Sequence, residues 1–494
     1  MTTSTFSPEV LGRIFALAAT APVSATPQDE IDFSAALLPY RVAAVNRHWR
    51  CAALAASKCW TYVVLPTARR AAEATALKSH LAHVLDRSCS LRLDVVVHVG
   101  GAGDKSKAKQ AADDDIFNML AECAGRIQTL AMRNDGEWAL LDRFFVVLRC
   151  PTPQLYQLGV WCTHGDSVGT DEFNLGFPKT QFPTLLPDAP RLEQIVAFNA
   201  PIFCVQSNTG LQSLQSFSLL GRCVVQRDLV TRTLSNMPHL THFALTHILD
   251  PHNSESPHDA PTSLPIAILD IDEDAHELMA GITLPALRTL RMPSGGLVSV
   301  DVSGSSLKTL CLLRGGFSVF ELDRMRALQN IEHASFVGEP DMDRANVNAL
   351  FRALCDEKEP LWPQLRVLEL RGIDSAIEEE EGLLNVIRWR YLGKEDDADS
   401  DAGHTEDEDV ELQTHNGIHE DNSGPARLDK VVFDGMSVQE ETAADVEEIM
   451  GDKCVYLQRE DYDYMDRLKV RRNCANAGTD WPSRTPGSDI VRRY

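Results

Sequence analysis

The chain has 494 residues, 44% of them hydrophobic, and a formal net charge of −24. That length supports one large core, or a small domain beside a larger one. The acidic balance argues against a nucleic-acid partner, since phosphate binding is carried by clustered Lys and Arg. No run of about 20 apolar residues is present to span a membrane, and the N-terminus lacks the basic-then-apolar order of a signal peptide. Twelve cysteines are scattered singly with no CxxC pair, and no Asn-x-Ser/Thr acceptor occurs. Such thiols suit a reducing, intracellular compartment, cytoplasmic or nuclear.

The first predicted element is a helix in "FSPEVLGRIFALA", with an apolar stripe at Val10, Leu11, Ile14 and Phe15. Ser7 is placed to cap it, Pro8 suits its first position and Glu9 favours its first turn. The stretch from Pro22 to Pro27 breaks it. A second stripe, Leu38, Val42, Val45 and Trp49, has steps of four, three and four. It predicts one amphipathic helix with Trp49 on the apolar face and Arg47, His48 and Arg50 off it.

These two pieces, in this order, resemble the F-box family. Its pattern runs Leu-Pro-x-Glu-hydrophobic-Leu-x-x-Ile-Phe, then Val-Cys-Arg-x-Trp-Arg, then a short Ala-Leu segment and Leu-Trp. Pro8, Glu9, Val10, Leu11, Ile14 and Phe15 follow the first half. Val45, Arg47, Trp49, Arg50, Ala53, Leu54 and Trp60 follow the second. Phe6 stands for the family's Leu, Ser7 for its first Pro and Asn46 for its Cys. The resemblance implies a three-helix module over residues 1–65 that docks on a Skp-type adaptor, and through it on a cullin. Phe6, Pro8, Glu9, Val10, Leu11, Ile14, Phe15, Val45, Trp49 and Leu54 would carry the docking.

Residues 66–125 are expected to connect, with a helix from His83 leading into a first strand that ends near His98. "DVVVHVGGAGDKSKAKQ" has the order strand, glycine loop, helix. Yet Asp104 separates Gly103 from Lys105, which puts a negative charge where a phosphate loop needs an anion site.

Beyond residue 120 a six-residue phrase recurs, Leu-x-x-Leu-x-Leu with substitutions. It starts at Ile127, Leu155, Leu192, Leu214, Leu240, Leu287, Leu307, Leu328, Leu365 and Leu428. The spacings are 28, 37, 22, 26, 47, 20, 21, 37 and 63 residues. Five copies carry Pro two residues earlier, at 153, 190, 238, 285 and 363. Each phrase is a short strand that cannot bury its own apolar face, whereas a stack of them makes a continuous core. The expected fold is therefore α + α/β: an N-terminal three-helix F-box followed by an irregular leucine-rich-repeat solenoid over 126–393. The last repeat and a C-terminal cap or tail fall in 423–494. This pairing resembles the large F-box and leucine-rich-repeat families of mushroom-forming fungi.

In that geometry a polar row faces the concave surface: Gln157, Gln194, Ser216, Ser218, His242, Thr289, Arg291, Asn330, Glu332 and Glu369. The row suits recognition of a target protein, or is plain solvated sheet. Residues 394–422 hold twelve acids and one Lys; with so few apolar residues they are expected to be a disordered insertion. His239, His242 and His247, with His252 and His258, lack the fixed scaffold and Cys or carboxylate partners of a zinc site. Cys162 and His164 have no catalytic motif around them. The expectation is a non-catalytic chain without cofactors: the substrate-recognition subunit of an SCF-type ubiquitin ligase. The alternative is a leucine-rich scaffold whose F-box has decayed or serves outside any ligase.

Overall fold

The computed structural model describes residues 6–19, 33–66, 68, 70–100, 106–135, 139–162, 185–200, 202, 211–221, 230, 233–246, 262–271, 279, 282–293, 297, 300–302, 306–313, 319–338, 344–356, 358–372, 380–392, 425–434 and 440–457. The acidic stretch 394–422, the glycine loop, His164, His247, His252, His258 and the C-terminal tail from 458 lie outside them. The chain forms two compact units that divide between Pro285 and Ala286.

The first unit opens with three helices, α1 (Pro8–Ala19), α2 (Phe33–Val45) and α3 (Arg47–Ala55), and a 3-10 turn at Ser57–Trp60. Strands and long helices then alternate: β1 (Tyr62–Leu65), α4 (Ala71–Ser88), β2 (Leu93–Gly100), α5 (Lys107–Glu122), β3 (Ile127–Asp135) and α6 (Ala139–Leu148). Short strands follow: β4 (Gln157–Cys162), β5 (Gln194–Phe198), β6 (Ser216–Leu220), β7 (His242–Leu245) and β9 (Ile268–Ile271). The two-residue strands β8 (Thr262–Ser263) and β10 (Ile282–Thr283) pair with each other. All the others are parallel to their neighbours, in chain order, and the sheet does not close on itself. The sheet thus begins at Tyr62, inside the segment expected to be helical, and the strand after His83 is its second.

Side chains alternate across a strand, so the register decides the core. Leu130, Leu158, Ile195, Phe217, Phe243 and Leu269 stand side by side on one face, each at most 1% exposed. The recurrent proline has a physical role. Leu155, Leu192, Leu240 and Leu365 each donate their N–H to the carbonyl three residues back, at 3.0–3.1 Å. Pro occupies the second position of each such turn, where its fixed φ is already correct. At the far strand ends the backbone is closed by side chains. Asn199 Nδ2 donates to the Cys162 carbonyl at 2.9 Å, and Thr246 Oγ1 accepts from Gly221 N at 2.7 Å. Gly221 has φ +80°, and a Cβ there would stand 2.1 Å from Asn199 Oδ1.

The second unit repeats the plan with β11 (Thr289–Pro293), β12 (Thr309–Leu313), α7 (Val319–Arg326), β13 (His333–Val337), α8 (Arg344–Leu354) and β14 (Val367–Arg371). It ends with α9 (Glu380–Ile387), a π turn (Arg388–Leu392), β15 (Lys430–Asp434), α10 (Glu440–Met450) and β16 (Cys454–Leu457). These strands too are parallel and paired in order.

Two corrections concern the repeat. Thr309 pairs with His333, so the phrase expected at Leu328 begins at Ile331. Leu328 opens a turn, and Asn330 and Glu332 precede the strand instead of lying in it. One copy escaped the sequence pattern: Ile268 pairs with His242, so "IAILDI" from Ile266 is a phrase. It divides the 47-residue spacing into 26 and 21.

Candidate docking surfaces

Helix α1 carries two apolar stripes. Ser7 starts the helix: its carbonyl accepts from Leu11 N at 3.0 Å and its Oγ from Val10 N at 3.4 Å. Leu11 and Phe15 point inward, 3% and 4% exposed. Gly12 lets α1 approach the end of α3, since a Cβ there would be 3.1 Å from Ala56 Cβ. The outer stripe is Val10, Ile14 and Leu17, exposed by 42%, 46% and 78%, with Phe6 before it at 53%. Glu9 is fully exposed; the Ser7 hydroxyl, then its own backbone, hold its carboxyl below the usual range.

The stripe from Leu38 to Trp49 does not belong to one helix. Asn46 is extended, and its side chain accepts from Trp49 N at 2.8 Å, capping α3. A short acceptor at that position stops α2 and starts α3. Val45 is left 58% exposed, and Trp49 turns inward onto Phe15, ring centres 5.1 Å apart. The basic residues around Trp49 act as clips. His48 Nε2 is 3.0 Å from the Phe6 carbonyl, and Arg50 Nε donates to the Ala43 carbonyl in the last turn of α2.

The three helices are fastened to the sheet. Trp60 Nε1 donates to the Ala53 carbonyl at 2.9 Å, and Tyr40 stands edge-on to Trp60. Tyr40 also shares a 2.8 Å hydrogen bond with His80 Nδ1 on α4. Burial, then the neighbouring His83, push the His80 imidazole below its usual range. Ala35 of α2 joins Tyr62, Val64, Val96, Ala131 and Trp161 in one cluster. So the start of α2 joins the cluster that β1–β4 build on the face that carries the polar row further along. Trp161 lies back over Gly159, where a Cβ would stand 2.1 Å from the indole.

Along that face, Gln157 Nε2 donates to Gln194 Oε1 at 3.1 Å, both half-buried. Ser216, Ser218 and His242 continue it and are buried. In the second unit Thr289 is half-buried, and Arg291 and Glu369 are buried. Arg371 Nη2 donates to Glu369 Oε2 at 2.5 Å, and His333 Nε2 stands 3.4 Å from Oε1. Burial alone would raise the Glu369 carboxyl; His333 and Arg371 overcome it and hold it at about 2. The buried hydroxyls of Ser216 and Ser335 have no hydrogen-bond partner.

No protein-family model matches this chain, and no curated protein matches it in sequence.

The structure therefore sorts the expected residues. Phe6, Val10, Ile14 and Val45 are exposed, as are Pro8 and Glu9. Leu11 and Phe15 are buried inside the helical group, and Trp49 and Leu54 are half-buried. Asn330 is exposed in a turn, and Glu332 pairs with Lys308 at 2.6 Å outside the strand. Five residues lie outside the expected set: Leu17 and Leu37, both exposed, and His333, Ser335 and Arg371 on the sheet face. Leu17 was legible as the next step of the Val10–Ile14 stripe; the other three needed the register of β13 and β14. Among the described residues, no group of three or more His, Cys, Asp or Glu could hold a metal ion, and no helix is long and apolar enough to cross a membrane.

Proposed function

We propose that the chain is the substrate-recognition subunit of an SCF-type cullin ubiquitin ligase, acting inside the cell. Its α1–α3 group is an F-box that docks on a Skp-type adaptor. Its parallel strands are a leucine-rich-repeat solenoid whose polar face holds a target protein. Catalysis belongs to the assembled ligase.

One observation carries this reading. Of the seven large apolar side chains that are exposed among the described residues, six lie on α1 and α2 or just before them: Phe6, Val10, Ile14, Leu17, Leu37 and Val45. Clustered exposure of that kind marks a protein-docking surface. Four of the six stand at the motif positions that resemble the F-box. On the polar face, the half-buried Gln157, Gln194 and Thr289 are the residues a target can reach, while Ser218, His242, Arg291 and Glu369 shape the surface beneath it.

Adaptor affinity of the full chain is the test. Ile14→Asp places a carboxylate where an apolar partner must pack, which costs binding because the charge is desolvated. Affinity should fall by about tenfold or more, equivalent to about 1.4 kcal/mol. Far-ultraviolet dichroism should not change, since Ile14 is 46% exposed in the free chain. Equal affinity in wild type and variant would remove the F-box reading.

A further inference from the structure

The family pattern has a proline where this chain has Ser7, and that departure creates a Ser-Pro dipeptide at the edge of the apolar stripe of α1. The described residues contain one other Ser/Thr-Pro dipeptide, Thr152–Pro153. The two differ in access. Thr152 is fully buried, and its hydroxyl has no hydrogen-bond partner. Ser7 is exposed, lies ahead of the helix with Pro8 as its first residue, and bonds Val10 N only at 3.4 Å.

We propose that Ser7 is a phosphorylation site for a proline-directed protein kinase, and that the phosphate closes the outer stripe of α1 to its partner. The regulatory half rests on the docking reading given above. In the transfer, Ser7 Oγ attacks the terminal phosphorus of ATP. The Oγ–P bond forms as the bond from that phosphorus to the β-bridging oxygen breaks. ADP leaves with the electron pair, and the hydroxyl proton passes to the kinase's carboxylate base.

Two effects of the product oppose each other in a useful way. A phosphate at a helix N-cap suits the free N–H groups and the positive end of the helix dipole, so α1 stays folded. The same group brings about −1.5 to −2 charges at neutral pH. It stands next to Phe6 and one turn from Val10, both of which a docked partner would bury. It also removes the hydroxyl that now hydrogen-bonds Glu9 and sets two acidic groups two residues apart. A partner would have to desolvate this charge to reach the stripe.

The experiment treats the full chain with a proline-directed Ser/Thr kinase and ATP, maps the phosphate by peptide mass, and measures affinity for a Skp-type adaptor before and after. Ser7→Asn keeps a capping side chain and removes the acceptor hydroxyl. In wild type, Ser7 should take a phosphate, Thr152 should not, and adaptor affinity should fall by about tenfold or more. Ser7→Asn should keep its affinity after the same treatment. An unmodified Ser7 overturns the proposal, as does a phosphorylated Ser7 with unchanged affinity. If the unmodified chain ignores the adaptor altogether, the docking reading fails instead. Binding of an anionic apolar dye, compared between wild type and Ile14→Asp, then reads the stripe directly: loss on phosphorylation supports closure, and no change overturns it.

Discussion

Glu369 keeps its charge in a buried place because the Arg371 guanidinium and the His333 ring both reach it. Its carboxyl is held at about 2 in the folded chain, against an ordinary value near 4.3 once unfolded. The folded pKa is the lower one, so this group stabilises the fold above the unfolded value, by roughly 3 kcal/mol at most. That contribution is lost as pH falls from about 4.5 toward about 2. Urea midpoints of wild type and Glu369→Gln should differ clearly at pH 7 and approach each other through that window. A gap independent of pH would assign the stabilisation to packing. Asn46 teaches a related lesson at the same scale. The stripe through Trp49 had correct helical spacing, yet one side-chain oxygen accepting from Trp49 N at 2.8 Å divides it. The stripe expected on α1 joined Val10, Leu11, Ile14 and Phe15; spacing alone did not separate the exposed Val10 and Ile14 from the buried Leu11 and Phe15, because both sets fit one broad helical face. The clips from His48 and Arg50 were not legible either, because they bond backbone carbonyls that any residue supplies.

Among the elements, helix α8 shows how a buried end is satisfied. Its last carbonyl, on Leu354, accepts from Arg390 Nε at 3.2 Å, and Arg390 Nη2 donates to the Leu361 carbonyl. Arg390 is 2% exposed, and burial pushes its guanidinium down to about 10. Arg390→Met should fit the volume and strand both carbonyls, costing about 2–4 kcal/mol. Chemical denaturation would show it, with Arg388→Met, at a half-exposed ion pair with Asp445, changing stability little by comparison. The strands were largely legible, since nine of the ten phrases hold the register found in the sheet. The exceptions have one cause. What fixes a phrase is its register in the sheet, not a leucine: Ile331 and Ile266 take the fully buried first position, whereas Leu328, though buried, opens the turn ahead of β13.

For the molecule as a whole, the charge of −24 sets a long-range repulsion that no single contact relieves. Salt shortens its reach from about 30 Å at about 10 mM to about 8 Å at about 150 mM. The melting midpoint should rise over that range, and a fall would mean that ion pairs such as Lys308–Glu332 outweigh the repulsion. The fastening of the first helices has a mechanical consequence. Trp60 is tied to Ala53, Tyr40 is packed on Trp60, and the same phenol is bonded to α4. These contacts join α2 and α3 to α4 across the turn ahead of β1, a strut instead of a hinge. A partner docked on Val10 and Ile14, as proposed, would take hold of a helical group already fastened to α4 through the Tyr40–His80 bond, so turning that group would load β1 and β2 as well.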